Sequence, residues 1–345
     1  MSDARMQCLS SFTALALALA LAGCASRAES PPLPTLQLDR ERVAVVGLSS
    51  GAYMATQAHI ALSDRIHGAA LIAGGPYGCA GGDLGQALGV CMKAEPAAPD
   101  AAALAAQVRA RAADGSIAAL AGLEGDRVLV LHGASDLKVA PAVGQAAVDL
   151  YRALQGDAPD LDVAAQLDGT YGHLLPLAGE GDQCADPPAP YVGRCGFDAP
   201  GRVFTQLFGA APRAAEAASG ALLPFNQAAL VGEGSDPILA EVGYLYVPPQ
   251  CESESCGLLL AFHGCLQNAD KVGEAFVREG GFNRWADAYG VVVLYPQTRA
   301  SFAPLNPNAC WDWWGYTGAD YDLRSGAQIQ WLARALDALG LEAAR

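Results

Sequence analysis

The chain has 345 residues, of which 52% are hydrophobic and 39 are glycine, enough to bury the core of one large α/β domain. Its formal net charge is −15 at pH 7, and its lysines and arginines are not clustered, so nucleic acid is not an expected partner. An acidic chain of this kind favours a neutral substrate over a polyanion.

The N-terminal segment has the features of an export signal. Arg5 precedes an apolar stretch over 12–23 that is too short to span a bilayer comfortably. It ends in Leu-Ala-Gly-Cys, which resembles the lipobox of bacterial lipoproteins, so we expect a signal peptide over 1–23, a lipid on Cys24 and a spacer over 24–38. An ordinary secretory signal is the alternative. Both interpretations place the protein outside the cytoplasm, either at the outer membrane or cell surface or secreted.

Cysteine usage indicates the same compartment. Of the ten cysteines, Cys8 lies in the signal and Cys24 at the lipobox, which leaves eight, the even number expected of a disulfide framework in an exported protein. The simplest pairing joins cysteines that are neighbours in sequence, namely Cys79–Cys91, Cys184–Cys195, Cys251–Cys256 and Cys265–Cys310. A zinc site is the alternative interpretation, but the sequence has no C-x-x-C motif, so we expect no metal.

The apolar runs alternate with alanine-rich segments along the chain. Buried parallel strands are predicted at 43–46, 69–73, 128–131, 258–262 and 291–295, with weaker candidates at 161–167 and 242–248. Helices are predicted within 100–120, 143–154 and 326–339. This alternation predicts a single α/β domain over 39–345 with a mostly parallel, doubly wound sheet. The proline-containing region 182–234 is expected to form surface loops beside the cleft.

A G-x-S-x-G pattern at 47–51 follows the first strand and precedes a helix-compatible segment. This pattern predicts a sharp turn that exposes Ser49 at the end of a strand. A serine hydroxyl becomes an effective nucleophile only with a histidine base and an acid that orients the histidine. Ser49 is therefore a candidate nucleophile whose partners must follow in the chain.

The candidate base is His173, one of five histidines. It lies in a glycine-containing loop after a weak strand, at the edge of the sheet where α/β sites form. A solvated loop residue is the alternative. His59 and His67 lie on and just beyond the helix that follows Ser49 and are expected at the surface, and His132 lies at a strand end.

The candidate acid is Asp136, which follows the strand 128–131 and a glycine turn. Asp136 could instead cap a helix, and Asp126 competes for the role, but Asp126 precedes the strand and so belongs at the opposite end of the sheet. The order Ser49, Asp136, His173 is the one found in the triad of α/β-hydrolases.

An oxyanion hole is also expected. One donor is the backbone amide of Ser50, the residue after the nucleophile. The second donor should come from the loop after a neighbouring strand, and no such strand precedes the one that ends at Ser49. Residues 263–265, however, follow the strand 258–262 with the sequence His-Gly-Cys, an oxyanion motif in which the glycine lets a backbone amide point into the site. Because that strand normally precedes the nucleophile strand, the order predicts a circularly permuted α/β-hydrolase fold.

The segments GLSSGAYMATQ, HGASDLKV, YGHLLP, FHGCLQN and NPNACWDWWGY together resemble the circularly permuted, single-domain catalytic domain of extracellular polyhydroxybutyrate depolymerases, over roughly residues 40–335. The resemblance implies that the nucleophile is Ser49, the acid Asp136 and the base His173, and that the oxyanion amides belong to Ser50 and Cys265. It also implies that a tryptophan contacts substrate. The substrate-binding candidates are Trp314, Trp311 and His263, with Trp313 also open.

The implied function is a serine esterase that hydrolyses poly(3-hydroxybutyrate) or its oligomers, without a metal or organic cofactor. We expect a monomer whose lipid anchor binds a bilayer. A feruloyl or acetyl esterase of the same fold, a peptidase with the same triad and a non-catalytic surface lipoprotein that binds polymer are the alternatives. The tryptophans could instead simply pack over a Cys265–Cys310 bridge.

Overall fold

The computed structural model describes residues 30–343, in which an eight-stranded sheet is the central element. The strands are β1 (Leu38–Leu48), β2 (Gly68–Ile72), β3 (Arg127–Gly133), β4 (Asp162–Gly169), β5 (Leu175–Leu177), β6 (Val192–Arg194), β7 (Ala221–Asn226), β8 (Val242–Val247), β9 (Cys256–Phe262), β10 (Val291–Tyr295), β11 (Ser301–Phe302) and β12 (Leu305–Asn306). The helices are α1 (Ser50–Ala61), α2 (Leu84–Leu88), α3 (Val90–Lys93), α4 (Ala101–Ala113), α5 (Pro141–Leu154), α6 (Ala199–Phe208), α7 (Ala269–Val272), α8 (Ala275–Glu279), α9 (Phe282–Tyr289) and α10 (Ala327–Ala338). Short 3-10 turns lie at Leu120–Leu123, Ala228–Leu230 and Pro249–Glu252.

The order of strands across the sheet is β4-β3-β2-β1-β9-β10-β8-β7. The six strands from β4 to β10 run parallel, and β8 and β7 are antiparallel to their neighbours. At the centre, Gly47 of β1 is in register with Phe262 of β9, although the two strands lie far apart in sequence. The sheet therefore places the end of β9 beside the end of β1, as the permuted order predicts, and the predicted fold class is confirmed.

The central strands form because they are short and continuously apolar, which suits a sheet covered on both faces. Residues of β2, β9 and β10 are buried throughout. One face packs against α1, α4, α5 and α10, with Trp331 as a fully buried contact. The other face packs against α6 and α9 through Phe204 and Phe282. Helices thus cover both faces, and the sheet is doubly wound.

The region 182–234 is more regular than expected, because it contains β6, α6 and β7. Glycine and proline within these segments hide the pattern in the sequence. Pro200 lies in the first turn of α6, where a missing amide proton costs nothing. Pro224 lies in β7, which is tolerated because β7 is the edge strand and pairs only with β8.

Among residues 30–343, four disulfides join the cysteine pairs that are neighbours in sequence, as expected: Cys79–Cys91, Cys184–Cys195, Cys251–Cys256 and Cys265–Cys310. Cross-links of this kind form outside the reducing cytoplasm. The bridge Cys265–Cys310 spans 45 residues and ties the loop after β9 to the loop that carries three tryptophans.

The expected signal peptide and Cys24 lie outside the described residues. The end of the expected spacer runs beside the edge of the sheet, where the amide of Asn226 in β7 donates to the carbonyl of Pro31 at 2.7 Å. Within residues 30–343, no helix combines the length and the apolar character needed to cross a bilayer.

Candidate active site

Ser49 occupies a sharp turn between β1 and α1. Its backbone has φ 58° and ψ −120°, a conformation that residues with a side chain rarely adopt. Both glycines of the pattern are needed for close approach. A Cβ on Gly47 would lie 2.0 Å from the carbonyl oxygen of Gly51, and a Cβ on Gly51 would lie 2.3 Å from that of Phe262. The pattern therefore folds locally into the predicted turn, pressed against the end of β9.

Asp136 and His173 lie in the loops that follow the adjacent parallel strands β3 and β4. The Nδ1 atom of His173 is 2.7 Å from Oδ2 of Asp136. The Asp136 side chain is fully buried, whereas 16% of the His173 side chain is exposed. Because Nδ1 is held by the carboxylate, Nε2 is the nitrogen that remains to exchange a proton. Ser49 and His173 line the same cavity.

The carboxylate of Asp136 is held by more than His173. Backbone amides of Lys138 and Val139 donate to Oδ1 at 2.8 and 3.0 Å. Burial acts to raise the pKa of Asp136, but hydrogen bonds from His132, His173 and the backbone outweigh burial and keep that pKa below its ordinary value. Asp136 is therefore charged near neutral pH and can stabilise a protonated His173.

His132 contributes to this site although we expected no role for it. Its Nε2 atom donates to the carbonyl oxygen of Val139 at 2.9 Å and lies 3.4 Å from Oδ2 of Asp136. The ring is fully buried at the end of β3. The signal in the sequence is its position four residues before Asp136, across a tight glycine turn.

The residues that carry the two expected oxyanion donors, Ser50 and Cys265, both border the cavity that Ser49 lines. Ser50 begins α1, and Cys265 lines the same cavity as Ser49. A Cβ on Gly264 would lie 3.5 Å from the Cβ of Ser49, so the loop after β9 is in contact with the turn. Among residues 30–343, no acceptor takes the backbone amide proton of Ser50 or Cys265, so both remain available to a ligand.

The cavity has a volume of about 390 Å³ and is mainly apolar. Its apolar lining includes Leu84, Leu88, Met92, Val139, Leu305 and Trp314. Lys138 is the one permanently charged side chain among the lining residues that the structure describes. A lining of this kind suits an uncharged ester better than a peptide or a charged sugar.

The three tryptophans after Cys310 have different positions. Trp314 and Trp313 line the cavity, and Trp313 stacks on Tyr53 with ring centroids 4.8 Å apart. The prediction that Trp311 contacts substrate is wrong, because this side chain is fully buried and packs edge-on against Phe262. Residues 312–317 form successive bends instead of a regular strand or helix, so the sequence spacing of Trp311 and Trp313 does not indicate which of them faces the cavity.

The prediction that His263 binds substrate is also wrong. His263 is fully buried behind the loop after β9, and it does not line the cavity. Its Nδ1 atom is 2.7 Å from the carbonyl oxygen of Gly264, and its Nε2 atom accepts from the amide of Thr298 at 3.2 Å. Both ring nitrogens are thus occupied by backbone groups.

A second histidine–aspartate pair lies at the opposite end of the sheet, where Asp126 was expected. His59 Nε2 is 2.9 Å from Asp126 Oδ2, and His59 Nδ1 is 3.0 Å from the hydroxyl of Tyr151. The expectation that His59 lies at the surface is wrong, because all 12 residues of α1 are buried between the sheet and α10. The His67 side chain, expected at the surface, is 28% exposed.

Two curated relatives match most of the chain. A poly(3-hydroxybutyrate) depolymerase from Delftia acidovorans is 35% identical over 318 residues, covering 90% of this chain, which spans only 62% of that relative. A polyhydroxybutyrate depolymerase from Talaromyces funiculosus is 31% identical over 338 residues, covering 92% of this chain and 95% of the relative.

A family model and two solved structures agree with these relatives. The family model described as Esterase PHB depolymerase matches residues 242–338. A PHB depolymerase from Penicillium funiculosum is 29% identical and superposes with a TM-score of 0.78, covering 90% of this chain and 99% of that one. A serine-to-alanine variant of a PHB depolymerase in complex with an R3HB trimer, at the same identity and coverage, gives a TM-score of 0.79. The chain therefore belongs to the polyhydroxybutyrate depolymerase family.

Proposed function

We propose that this protein is a serine ester hydrolase that cleaves poly(3-hydroxybutyrate) or its oligomers. The observation that carries the proposal is the 2.7 Å contact between His173 and Asp136 beside Ser49 in one largely apolar cavity. The relatives support the substrate class, since both are named as depolymerases of this polyester and one similar structure holds an R3HB trimer.

Acylation is the first step of the proposed reaction. Nε2 of His173 removes the proton from Ser49 as the serine oxygen attacks the ester carbonyl carbon. Asp136 accepts the Nδ1–H hydrogen bond, fixes the tautomer of the base and stabilises the imidazolium that forms. The negative charge on the former carbonyl oxygen is stabilised by the amides of Ser50 and Cys265.

The tetrahedral intermediate then collapses. His173 gives its proton to the departing alkoxide, so the alcohol end of the chain leaves and the acyl group stays on Ser49. A water molecule, deprotonated by His173, attacks the acyl-enzyme through a second tetrahedral intermediate. Ser49 leaves with the proton, and the acid product is released. These steps need no metal and no organic cofactor.

We further propose that Trp314 contacts the bound polyester. The repeating unit of this polymer is an uncharged ester with a methyl branch, and its chemistry matches an aromatic and aliphatic lining. Trp314 lies on the cavity wall and is in edge contact with Trp313, with ring centroids 5.5 Å apart. An aromatic surface of this kind binds an apolar chain without specific hydrogen bonds.

The direct test compares wild type with Ser49→Ala on emulsified polymer, soluble trimers, p-nitrophenyl butyrate and a feruloyl ester. The variant should lose at least about 10⁴-fold in kcat and keep the wild-type circular dichroism spectrum, because the substitution removes the nucleophilic hydroxyl and leaves the turn in place. A variant that retains most turnover would contradict the mechanism. Faster turnover of the feruloyl ester than of the polyester by wild type would contradict the substrate class.

We also propose that the protein is exported as a monomer and tethered by a lipid on Cys24. The lipobox-like sequence and the four disulfides support export. Metabolic labelling with a palmitate analogue should mark wild type and leave Cys24→Ser unlabelled and in the soluble fraction. Equal labelling of both proteins would contradict the anchor, and a dimer mass in light scattering would contradict the monomer.

A further inference from the structure

His263 is a buried side chain next to the reacting groups that the proposed mechanism does not use. It follows the last residue of β9, is fully buried and lies beneath the loop that carries Cys265. Its ring is tilted against the indole of Trp311, with centroids 5.6 Å apart. The ring is therefore fixed in place and has no access to substrate.

The neighbours of His263 determine which of its nitrogens carries the proton. The Gly264 carbonyl oxygen, 2.7 Å from Nδ1, can only accept a hydrogen bond, and the Thr298 amide, 3.2 Å from Nε2, can only donate one. The ring is thus a neutral imidazole with its proton on Nδ1. Burial lowers the pKa of His263 to about 4, against a smaller opposing effect of the Gly264 carbonyl, so the ring is also neutral near neutral pH.

The carbonyl that His263 binds belongs to the same peptide unit as the amide of Cys265. A peptide unit is planar and trans, so its carbonyl and its N–H point in opposite directions. A donor that binds the Gly264 carbonyl on the side away from the cavity therefore orients the Cys265 amide toward the cavity. Gln267 holds the same loop through two hydrogen bonds. Its side-chain oxygen accepts from the backbone amide of Gly264 at 2.7 Å, and its backbone amide donates to the Gly264 carbonyl oxygen at 3.3 Å.

We propose that His263 is a positioning residue for the oxyanion hole: its Nδ1–H holds the Gly264–Cys265 peptide in the orientation that aims the Cys265 amide at the reacting carbonyl oxygen. The inference rests on the proposed function. His263 never touches the substrate, and its contribution appears only when negative charge develops on that oxygen.

The kinetic test compares His263→Leu with His263→Asn on p-nitrophenyl butyrate. His263→Leu removes the donor and should lower kcat by about 10- to 100-fold with KM nearly unchanged, since losing one oxyanion donor outright costs about 10²- to 10³-fold. His263→Asn keeps an N–H donor close to the position of Nδ1 and should recover at least part of that loss. A kcat for His263→Leu within threefold of wild type would overturn the inference, as would equal losses in both variants.

His59→Asn is the matched control. It also removes a fully buried histidine with two hydrogen bonds, but at the opposite end of the sheet. It should lower the melting temperature and leave kcat of the folded enzyme unchanged. If His59→Asn lowers kcat as much as His263→Leu, a general loss of packing explains both results and the inference fails. An inactive wild type contradicts the proposed function, whereas active wild type with equally active His263→Leu contradicts this inference alone.

A measurement on the wild-type protein needs neither activity nor a stable leucine variant. Nitrogen-15 spectra of the imidazole rings should contain a neutral Nδ1–H tautomer that does not titrate between about pH 5.5 and 8. The same signal should be missing from His263→Asn. A neutral Nε2–H tautomer for His263, or titration within that range, would overturn the inference.

Discussion

The two ends of the sheet each carry a histidine–aspartate pair, and only one of them lies beside a candidate nucleophile. The distances are alike, 2.7 Å for His173–Asp136 and 2.9 Å for His59–Asp126. The difference lies in the other ring nitrogen. Nδ1 of His59 is occupied by Tyr151, whereas Nε2 of His173 has no partner among residues 30–343 and its ring borders the cavity.

A short contact with a carboxylate does not by itself make a histidine a catalytic base. What distinguishes the two pairs is the free nitrogen, the partial exposure of the ring and the adjacent Ser49. The His59 pair instead satisfies polar groups that α1 buries, since an unpaired buried histidine or carboxylate would destabilise the fold. The groups assigned to the reaction thus lie at the carboxyl ends of the strands, and the pair at the opposite end of the sheet stabilises the fold.

The largest expected effect comes from neutralising each acid in turn. Asp136→Asn should lower kcat by about 10³- to 10⁴-fold, because the amide no longer selects the right tautomer or stabilises the imidazolium. Asp126→Asn should leave kcat of the folded enzyme near wild type and reduce the free energy of unfolding by about 1–3 kcal/mol, because a buried hydrogen bond is weakened. Kinetics with active-site titration, together with urea unfolding, measure both quantities. Similar kcat losses in the two variants would contradict the separate roles of Asp136 and Asp126.

The next effect concerns the two disulfides that flank β9. Cys265→Ala/Cys310→Ala releases the loop that carries an expected oxyanion amide, so kcat should fall by at least about tenfold. Loop-closure entropy predicts a loss in stability of about 4 kcal/mol for its 45-residue separation. Cys251→Ala/Cys256→Ala, at the start of β9, should cost about 2 kcal/mol for a separation of 5 residues and leave kcat unchanged. Unchanged kcat in the first double variant would argue against any role for that loop.

A smaller effect is expected at Trp314. Trp314→Ala should raise KM for soluble trimers by about three- to tenfold with little change in kcat, because it removes contact area that substrate and transition state share. Trp311→Ala should instead destabilise the fold by about 3–5 kcal/mol, since it empties a buried site. Steady-state kinetics and thermal unfolding distinguish the two positions. A fall in kcat without a KM change in Trp314→Ala would contradict the assignment.

The smallest effect is the pH dependence of stability at Asp136. The pKa of Asp136 is lower in the folded protein than in the unfolded chain. The carboxylate therefore makes its full contribution to the free energy of unfolding above the unfolded-state pKa of about 4, and this contribution is lost as the pH falls through the folded-state pKa. The difference in free energy of unfolding between wild type and Asp136→Asn should therefore be greatest near neutral pH and shrink below about pH 4. Urea titrations from neutral to acidic pH measure it. A difference that grows on acidification would contradict the depressed pKa.

Much of the fold was predictable because its signals are local. The apolar runs of the central strands and the glycine-bounded turn at Ser49 are readable from neighbouring residues. The order of Ser49, Asp136 and His173, with the His-Gly-Cys segment placed far downstream, was sufficient to predict the permuted topology. These patterns depend on which residue ends each strand, and parallel strands place those ends at one edge.

What the sequence did not reveal depends on packing between distant segments. The burial of His59 follows from α10 covering α1, and the burial of Trp311 follows from its contact with Phe262. His263 resembles a cleft residue in sequence because it adjoins Gly264, yet its ring turns inward to bind the backbone. Short-range sequence patterns do not predict the direction in which such a side chain points.

Covalent labelling with a fluorophosphonate, followed by mass mapping of the modified peptide, tests directly whether Ser49 is the activated nucleophile. Such probes react with serines that have an activated hydroxyl. We expect the adduct on Ser49 in wild type, the same labelling rate in Asp126→Asn, and a much slower rate in Asp136→Asn. No adduct, an adduct on another serine, or equal slowing in both aspartate variants would contradict the assignment of the site.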